Sequence, residues 1–408
     1  MDKYQAKKIT GTLKPYDCIV IGGGIIGAAV AYKVRLKRPE ARILVLEKQA
    51  KPAMHQTGRN SGVIHSGLYY KPGSLKAQTC IDGYAQLVAF CETHSVRYEL
   101  CGKLVAATNS KEVEYLKALQ VRGEHNGLKE LKWLSAEQAQ SIEPELQCLA
   151  ALQVPQTGIV DYVGMTEALL QGIELRTGEA VQSLQREGSC SVVNTPNGRY
   201  SAPMVVACAG LQSDRVARMD GVDAGMRIVP FRGDYHELSD RAAHKVKHLI
   251  YPVPDPDLPF LGVHFTRMVS GDIECGPNAV FSFARERYHK TGFLWKDAAA
   301  ALTWPGTWKL FRRHMLYGMG EYRRAFSERA FLKALQKLIP SLTREDLKPG
   351  RSGIRAQALD REGKLVDDFV LKMGEAAFHV LNAPSPAATA SLAIADRILK
   401  AHDASISS

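Results

Sequence analysis

From Cys18 onward the chain alternates short apolar runs with longer segments of mixed period. The first run, DCIVIGGG, is β-branched and ends in glycines, the pattern of a buried strand entering a turn. IIGAAVAYKVRL follows as a small-residue helix, and ARILVLEK is a second buried strand. Together they predict one βαβ unit of about 30 residues. The apolar run 18–32 is about 15 residues long and broken by glycines, which is short for a bilayer span.

Further along, 74–94 presents Leu75, Cys80, Tyr84, Leu87, Val88 and Cys91 near one helical face. GKLVAATN predicts a strand, and SKEVEYLKALQVRGEHNG a helix with a solvated charged face. LKWLSAEQAQSIEPEL predicts a strand edge, then a helix capped by Ser135 with Gln138 three residues on. GIVDY leads into a helix, IELRTGEAVQSL follows as one strand, and MVVACAG is a buried strand with a helix behind it. Over 226–275 polar and apolar positions alternate between Pro and Gly turns, the mark of an antiparallel sheet. Helices are predicted over 295–342. Strands follow, then a loop around Pro384 and Pro386, then an amphipathic helix over 387–400.

At 408 residues the chain exceeds what one core usually holds, so two domains are expected. With 45% hydrophobic and 23% charged residues, no repeat and no low-complexity tract, fibrous and disordered classes are excluded. The net charge of +11 suits anionic partners. The eight cysteines contain no C-x-x-C pair, so neither a metal site nor a redox disulfide is expected, and free thiols in a reducing compartment are. The N-terminal MDKYQAKKITGTLKPYD lacks an arginine-rich amphipathic pattern and makes a poor signal or transit peptide.

Gly22, Gly24 and Gly27 fit G-x-G-x-x-G, with Ile25 and Ile26 opening the helix. The glycines serve a tight turn, close approach to a pyrophosphate, and helix–strand packing. Glu47 stands 20 residues after Gly27, placed to accept a ribose diol. Strand, glycines, helix and acid in this order predict dinucleotide binding. The long Gly/Ser/Asn/His-rich loop KPAMHQTGRNSGVIHSGLYY favours FAD over a nicotinamide cofactor, because it can run back along the cofactor toward an isoalloxazine ring. Ala209 and Gly210 end MVVACAG with small residues, as tight packing on a nucleotide requires. The N-terminus of the last helix could point at the flavin O2/N1 edge, where negative charge develops on reduction.

VIGGGIIG, VLEK, HQTGRNSGVIHSGLYYKPGSLKA, TGIVDY, CAGLQSDR, IVPFRGDY, YPVPDPDLPFLGVHFT, GPNAV, GIRAQALDREGKLVDDFV and NAPSPAATASLAIA together resemble the L-2-hydroxyglutarate dehydrogenase/oxidase family, over nearly the whole chain. That family belongs to the FAD-dependent D-amino-acid-oxidase/glycerol-3-phosphate-dehydrogenase superfamily. Two departures stand out. The segment VGMTEALLQGIELRTG is about six residues shorter than the resemblance implies, and Glu274 replaces an apolar residue. The implied fold class is α/β, a Rossmann-like FAD-binding domain with an interleaved α+β substrate domain carrying a mostly antiparallel sheet. The FAD-binding part is expected over 14–90, 150–220 and 350–402, and the substrate or cap part over 91–149 and 221–349.

The resemblance implies oxidation of L-2-hydroxyglutarate to 2-oxoglutarate, with hydride passing from the α carbon to flavin N5 and the hydroxyl proton to a base. Base candidates are His65 and His264, with His55 behind them; a packed core histidine is the competing reading for each. Arg355 is first choice for a substrate carboxylate, since a guanidinium donates two parallel bonds to one. Arg232 is second and could instead pair with Asp234. Tyr70, Tyr251 and Asn278 are candidates for substrate oxygens. Lys48, Thr57, Arg59, Asn60, Ser61, Gly62, Val63 and Val181 are expected near the cofactor. Pro384, Ser385, Pro386, Ala387, Ala388 and Thr389 are expected to touch the flavin through backbone.

With no second redox centre in the sequence, the electron acceptor is external, a membrane quinone or dioxygen. Three of the four tryptophans (Trp295, Trp304, Trp308) precede the cations Lys309, Arg312, Arg313, Arg323, Arg324 and Arg329. The helices of 295–335 could therefore dock on an anionic membrane surface, against the alternative of a solvated basic cap. A bacterial protein is then expected in the cytoplasm or on the inner face of a membrane, and an animal one in mitochondria with its targeting segment removed. Another hydroxy acid, glycerol-3-phosphate or an amino acid is the alternative substrate. A non-enzymatic or RNA-binding flavoprotein is remote, because the cations outside 309–329 are spread along the chain, and no nucleic-acid partner is expected.

Overall fold

The computed structural model of the protein describes residues 16–255 and 262–407. The N-terminal segment that carries the targeting reading lies mostly outside the described residues, as does the centre of YPVPDPDLPFLGVHFT.

The βαβ unit forms from β1 (Cys18–Ile21), α1 (Ile25–Lys37) and β2 (Ile43–Leu46). Both strands are wholly buried, which explains why neither carries a charge or alternates. They lie inside a six-stranded sheet ordered Val370–Met373, Phe378–Asn382, Met204–Ala207, β1, β2, Glu174–Arg176. Every neighbouring pair is parallel except the first. Cys18, Val20, Ile43 and Val45 pack with α1 and with residues of Leu75–Thr93, Tyr162–Leu169 and Ser391–Ser407. Ile19, Ile21, Leu44 and Leu46 pack on the opposite face against a three-stranded antiparallel sheet, Ser183–Glu187, Cys190–Asn194 and Arg199–Ala202. The single strand expected over IELRTGEAVQSL is thus two strands in different sheets. Gly178, at φ +72°, turns the chain between them.

The second sheet has nine strands. Its path runs Val280–Phe281, Met226–Leu238, Ile273–Gly276, His264–Arg267, Leu249–Pro252, Lys103–Ala107, Ala150–Val154, Lys132–Ser135, with Leu347–Asp360 along Met226–Leu238. Leu249–Pro252 pairs parallel with Lys103–Ala107, and the other pairs are antiparallel. Ala150–Val154 and Leu347–Asp360 had been expected beside the nucleotide-binding strands. Their edges pair here instead, and partner choice between distant strands leaves no local mark in a sequence. Leu104, Ala106, Ile250, Phe265 and Ile273 face a core closed by Phe331, Leu335 and Leu338. The opposite face carries Lys103, Tyr251 and His264.

Local predictions hold where the determinants are contiguous. Ser74 caps Leu75–Thr93, and Ser135 with Gln138 forms a capping box on Ala136–Ile142. The segment after TGIVDY makes a two-turn helix, Tyr162–Leu169, capped by Asp161. The basic region folds as Trp295–Leu302, Pro305–Arg313, Met315–Phe326 and Glu328–Leu335. The last helix starts at Ser391, a few residues after the expected 387, because the Pro384–Pro386 turn delays it.

One buried ion pair joins the two sheets' elements. Arg285, 1% exposed, donates to Asp214 Oδ2 at 2.9 Å and to the carbonyls of Leu211 at 2.8 Å and Ile228 at 2.9 Å. Asp214 lies in the helix Ser213–Met219, and Ile228 in Met226–Leu238. Arg285→Met would strand the Asp214 carboxylate in the interior, at a cost of about 3–5 kcal/mol. Chemical denaturation should register that loss. The double variant Arg285→Met/Asp214→Leu should recover most of it, and equal midpoints for the single and double variants would refute the account.

Candidate active site

At the first end of the site, Gly22 stands at φ +108°, and a Cβ there would lie 2.4 Å from the Cys208 carbonyl oxygen. A Cβ on Gly27 would lie 2.0 Å from the Gly22 oxygen. These contacts bring the start of α1, the end of β1 and the loop of Ala209 and Gly210 together. Gly24 is the helix N-cap without a side-chain cap, and its Cβ position meets only Thr57 Oγ1 at 3.3 Å. Thr57 accepts the Ile25 N–H at 3.0 Å. No acid occupies the first turn, so the positive helix end faces an open glycine turn. Glu47, 8% exposed, accepts the Gly23 N–H at Oε2 and the Gln49 N–H at Oε1, both at 2.8 Å. Each oxygen keeps a lone pair for a ribose diol. Clearance, donors and acid fit a dinucleotide. Ile26, in α1, packs partly buried against the core on one face of the six-stranded sheet, and Val181 against the core on the other face, which holds Ile21 and Leu46.

The loop after β2 connects this end to a second cluster. Asn60 shapes it, donating to the Gln56 and Thr57 carbonyls and accepting the Gly62 N–H at 2.7 Å. Ser61 and Thr266 lie beside the Tyr251 hydroxyl. The loop then runs through Gly62 and Val63 to His65, whose N–H is received by Thr389 Oγ1 at 3.0 Å. Thr389 also meets Tyr162 Oη at 2.9 Å, and Tyr162 donates to the Val63 carbonyl at 3.0 Å. His65 Nε2 and Ser385 Oγ stand 3.4 Å apart, and Tyr70 bonds Ser385. The loop of Pro384, Pro386, Ala387 and Ala388 therefore closes over His65 and Tyr70.

The nine-stranded sheet supplies the other wall. His264, 6% exposed, lies against the Tyr251 ring with centroids 4.0 Å apart, and its Nδ1 stands 3.1 Å from the Gly262 carbonyl. An Nδ1–H donated to that carbonyl leaves Nε2 as an acceptor. Burial, then the charges of Arg355 and Lys103, push the His264 pKa down to about 3, against a small raising effect of the carbonyl. Burial and Lys103 push His65 to about 4. Both rings are neutral at pH 7. Arg355 stands in Leu347–Asp360 opposite Phe231, and its charge reaches Tyr235, Tyr251 and His264.

A depressed histidine pKa has a stability consequence. The folded state resists a proton that the unfolded chain accepts near pH 6.5, so the contribution is complete above 6.5 and shrinks as pH falls toward 3. The expected slope from His264 is about 1.4 kcal/mol per pH unit below 6, with His65 adding in the same direction down to about 4. Thermal midpoints measured from pH 7 to pH 4 should fall, and should fall less steeply for a variant lacking both imidazoles.

Other candidates lie elsewhere. Arg232, 4% exposed, is held by Asp234 through Nε at 2.8 Å and Nη2 at 3.1 Å, and donates Nη1 to the His289 carbonyl at 2.7 Å. The structural pair is the alternative realised, and it leaves Arg355 as the arginine near His264. Asn278 braces the same turn, accepting the Asp234 N–H at 2.8 Å. His55 contacts Tyr288 at 2.6 Å and Gln49 at 2.9 Å, and Lys48 pairs with Glu286. Arg59 stacks on Tyr288 at 3.7 Å and donates to the Ser352 carbonyl.

Three residues have partners that local sequence does not reveal. Glu274, 2% exposed, ion-pairs with Arg351, which donates to the carbonyls of Gly58 at 2.8 Å and Asn60 at 2.6 Å. The unexpected acid thus anchors the loop beneath the site. Lys103, 3% exposed, is the third. Its signal was a lone charge at the head of the apolar strand KLVAA.

The family model for FAD dependent oxidoreductases matches residues 17–400. An L-2-hydroxyglutarate dehydrogenase of Indibacter alkaliphilus is 46% identical over 93% of this chain and 96% of its own length. That of Escherichia coli K12 is 42% identical over 94% and 92%, and the mitochondrial one of Nematostella vectensis 43% over 94% and 90%. Among solved structures, L-alpha-glycerophosphate oxidase from Mycoplasma pneumoniae with FAD bound superimposes with a TM-score of 0.77 at 21% identity, covering 95% of this chain and 94% of that one. Glycine oxidase from Geobacillus kaustophilus gives 0.70 at 17%, covering 95% of each. At those identities the structural likeness speaks for the fold alone.

Proposed function

The chain belongs to the FAD dependent oxidoreductases and, among them, to the L-2-hydroxyglutarate dehydrogenases, and from that premise we infer its reaction, the FAD-dependent oxidation of L-2-hydroxyglutarate to 2-oxoglutarate. The observation that carries the reading is local. A neutral histidine of defined tautomer and an arginine stand at the far end of a loop that begins at a dinucleotide cradle. The six-stranded sheet with its helices is assigned to FAD, and the inner face of the nine-stranded sheet to the substrate.

Bound FAD supplies the acceptor for the hydride leaving the substrate α carbon. His264 takes the hydroxyl proton at Nε2, because Nδ1 faces the Gly262 carbonyl. Arg355 holds the carboxylate beside that carbon through its planar fork. The Tyr251 ring lies tilted against His264, with Ser61 and Thr266 beside its hydroxyl. His65 and Tyr70, tied to Ser385, form the opposite wall. The deciding experiment is anaerobic mixing of the FAD-loaded protein with each enantiomer of 2-hydroxyglutarate. The L form alone should bleach the flavin band, and a band that persists with the L form would end this reading.

Electrons then leave to an external acceptor, for which we favour a membrane quinone over dioxygen. Among the described residues no helix is long and apolar enough to cross a membrane. A surface association is supported by Trp295, 74% exposed, and by Trp308, Met315, Met319 and Phe326, all exposed on helices that also carry Arg312, Arg313 and Arg323. An apolar cavity of about 330 Å³ opens there, lined by Phe281, Phe311, Met315 and Met319 among others. Exposed aromatics beside cations suit the interface of an anionic bilayer. The protein should co-sediment with anionic vesicles and come off in ~1 M salt, where the Debye length shrinks to about 3 Å. Protein that stays in the supernatant at low salt would remove the membrane from the account.

A further inference from the structure

Lys103 is a buried lysine for which the described residues provide no carboxylate partner. It opens the strand Lys103–Ala107 and faces the loop that carries His65. Its ammonium donates to the Tyr69 hydroxyl at 3.2 Å and lies 4.4 Å from the Tyr69 ring centroid and 5.0 Å from that of Tyr251. No carboxylate among the described residues pairs with it, and its titratable neighbour Cys80 is a protonated thiol near neutrality. Two aromatic faces and one hydroxyl compensate a buried ammonium poorly. Burial accordingly brings its pKa down to about 7.

The charge of Lys103 is felt by His65 and by His264, and the charge of Arg355 by His264. The histidines are neutral, so the cleft carries two cations that converge on one imidazole. A carboxylate held near Arg355 at one end of a short dicarboxylate leaves the other end to neutralise the Lys103 ammonium.

We propose that Lys103 binds the distal carboxylate of the substrate and thereby selects dicarboxylic over monocarboxylic 2-hydroxy acids, while Arg355 holds the carboxylate beside the reacting carbon. This rests on the reaction inferred above. The step is one of binding only, and moves no electrons. An incoming carboxylate would supply the counter-charge that none of the described residues offers Lys103.

The test compares FAD-loaded wild-type protein with Lys103→Met, using L-2-hydroxyglutarate and L-2-hydroxypentanoate, its analogue without the distal carboxylate. In the variant kcat/KM for the dicarboxylate should fall about a hundredfold to a thousandfold, mainly through KM. The monocarboxylate should be little affected, so the preference between the two largely disappears. A preserved preference would overturn the proposal, as would a collapse of kcat with KM unchanged, which would mark Lys103 as the base. The titratable and charged groups facing this ammonium or its anion are Tyr69, Tyr251, Cys80, His65, His264 and Arg355. The histidines stay neutral and the phenols and thiol stay protonated around neutrality. Lysine therefore alone titrates there, and its cationic form is lost as pH rises through about 7. Binding of glutarate, a non-oxidisable dianion, to wild-type protein at pH 8 should take up close to one proton, measured calorimetrically in buffers of different ionisation heat. Uptake near zero would overturn the proposal even if Lys103→Met failed to fold. Wild-type flavin that L-2-hydroxyglutarate does not bleach would instead strike down the reaction itself, so the two failures are told apart.

Discussion

Gly27→Val is expected to yield a colourless protein with no measurable oxidation of L-2-hydroxyglutarate. A Cβ at this position would lie 2.0 Å from the Gly22 oxygen and 3.3 Å from Val20 Cγ1, so α1 cannot remain seated on β1. Valine adds two further methyl groups to that clash. Overpacking of this kind usually costs about 1–3 kcal/mol, and here the obstacle is backbone, which cannot rotate away. The larger consequence is positional. Moving the start of α1 carries Gly24 and the Ile25 N–H away from Thr57, and the open helix end no longer faces the nucleotide turn. The ratio of visible to ultraviolet absorbance of the purified protein reads the outcome directly. Gly318→Ala is the control. It lies in Met315–Phe326 with open space around its Cβ position, and should retain FAD and gain about 0.5–1 kcal/mol. A yellow, active Gly27→Val protein would dissolve the assignment of the cradle.

His264→Asn is expected to lower kcat by about 10²–10⁴ while KM moves little. Asparagine can keep a donor near the Gly262 carbonyl but offers nothing where Nε2 stood, so the variant removes the base while retaining the anchor. The pH profile sharpens the test. A base must be neutral to act, and His264, with its pKa near 3, stays neutral down through pH 5. The acidic limb of wild-type kcat should therefore be absent between pH 8 and pH 5, where an ordinary histidine would impose one near 6.5. If His264→Asn keeps kcat within tenfold of wild type and His65→Asn does not, the base is His65.

The two motif arginines take roles that their local sequence does not distinguish. GIRAQ and FRGDY each offered one, and both were sensible carboxylate ligands. Arg232 and Asp234, two residues apart on one strand, share a face, and that local pairing was visible as an alternative. The role left to Arg355 depends on register, because Leu347–Asp360 pairs with Met226–Leu238 and brings its charge to bear on His264. Glu274 is similar. An acid in an apolar pattern looked like a departure, and only Arg351, 77 residues on, accounts for it.

What the amino-acid order determined alone was everything built within one stretch of chain: the βαβ turn with its three glycines, the caps at Ser74 and Ser135, the loop from Thr57 to His65, and with them the cofactor class and the family. These features depend on backbone conformations and hydrogen bonds between residues a few positions apart, so their causes lie in the same few letters as their effects. The tertiary structure alone decided which sheet Ala150–Val154 and Leu347–Asp360 joined, which arginine faced His264, and that the lysine heading an apolar strand is a buried cation. Each of these turns on desolvation and charge contributed by partners distant in sequence, and those fields exist only once the chain has closed around them.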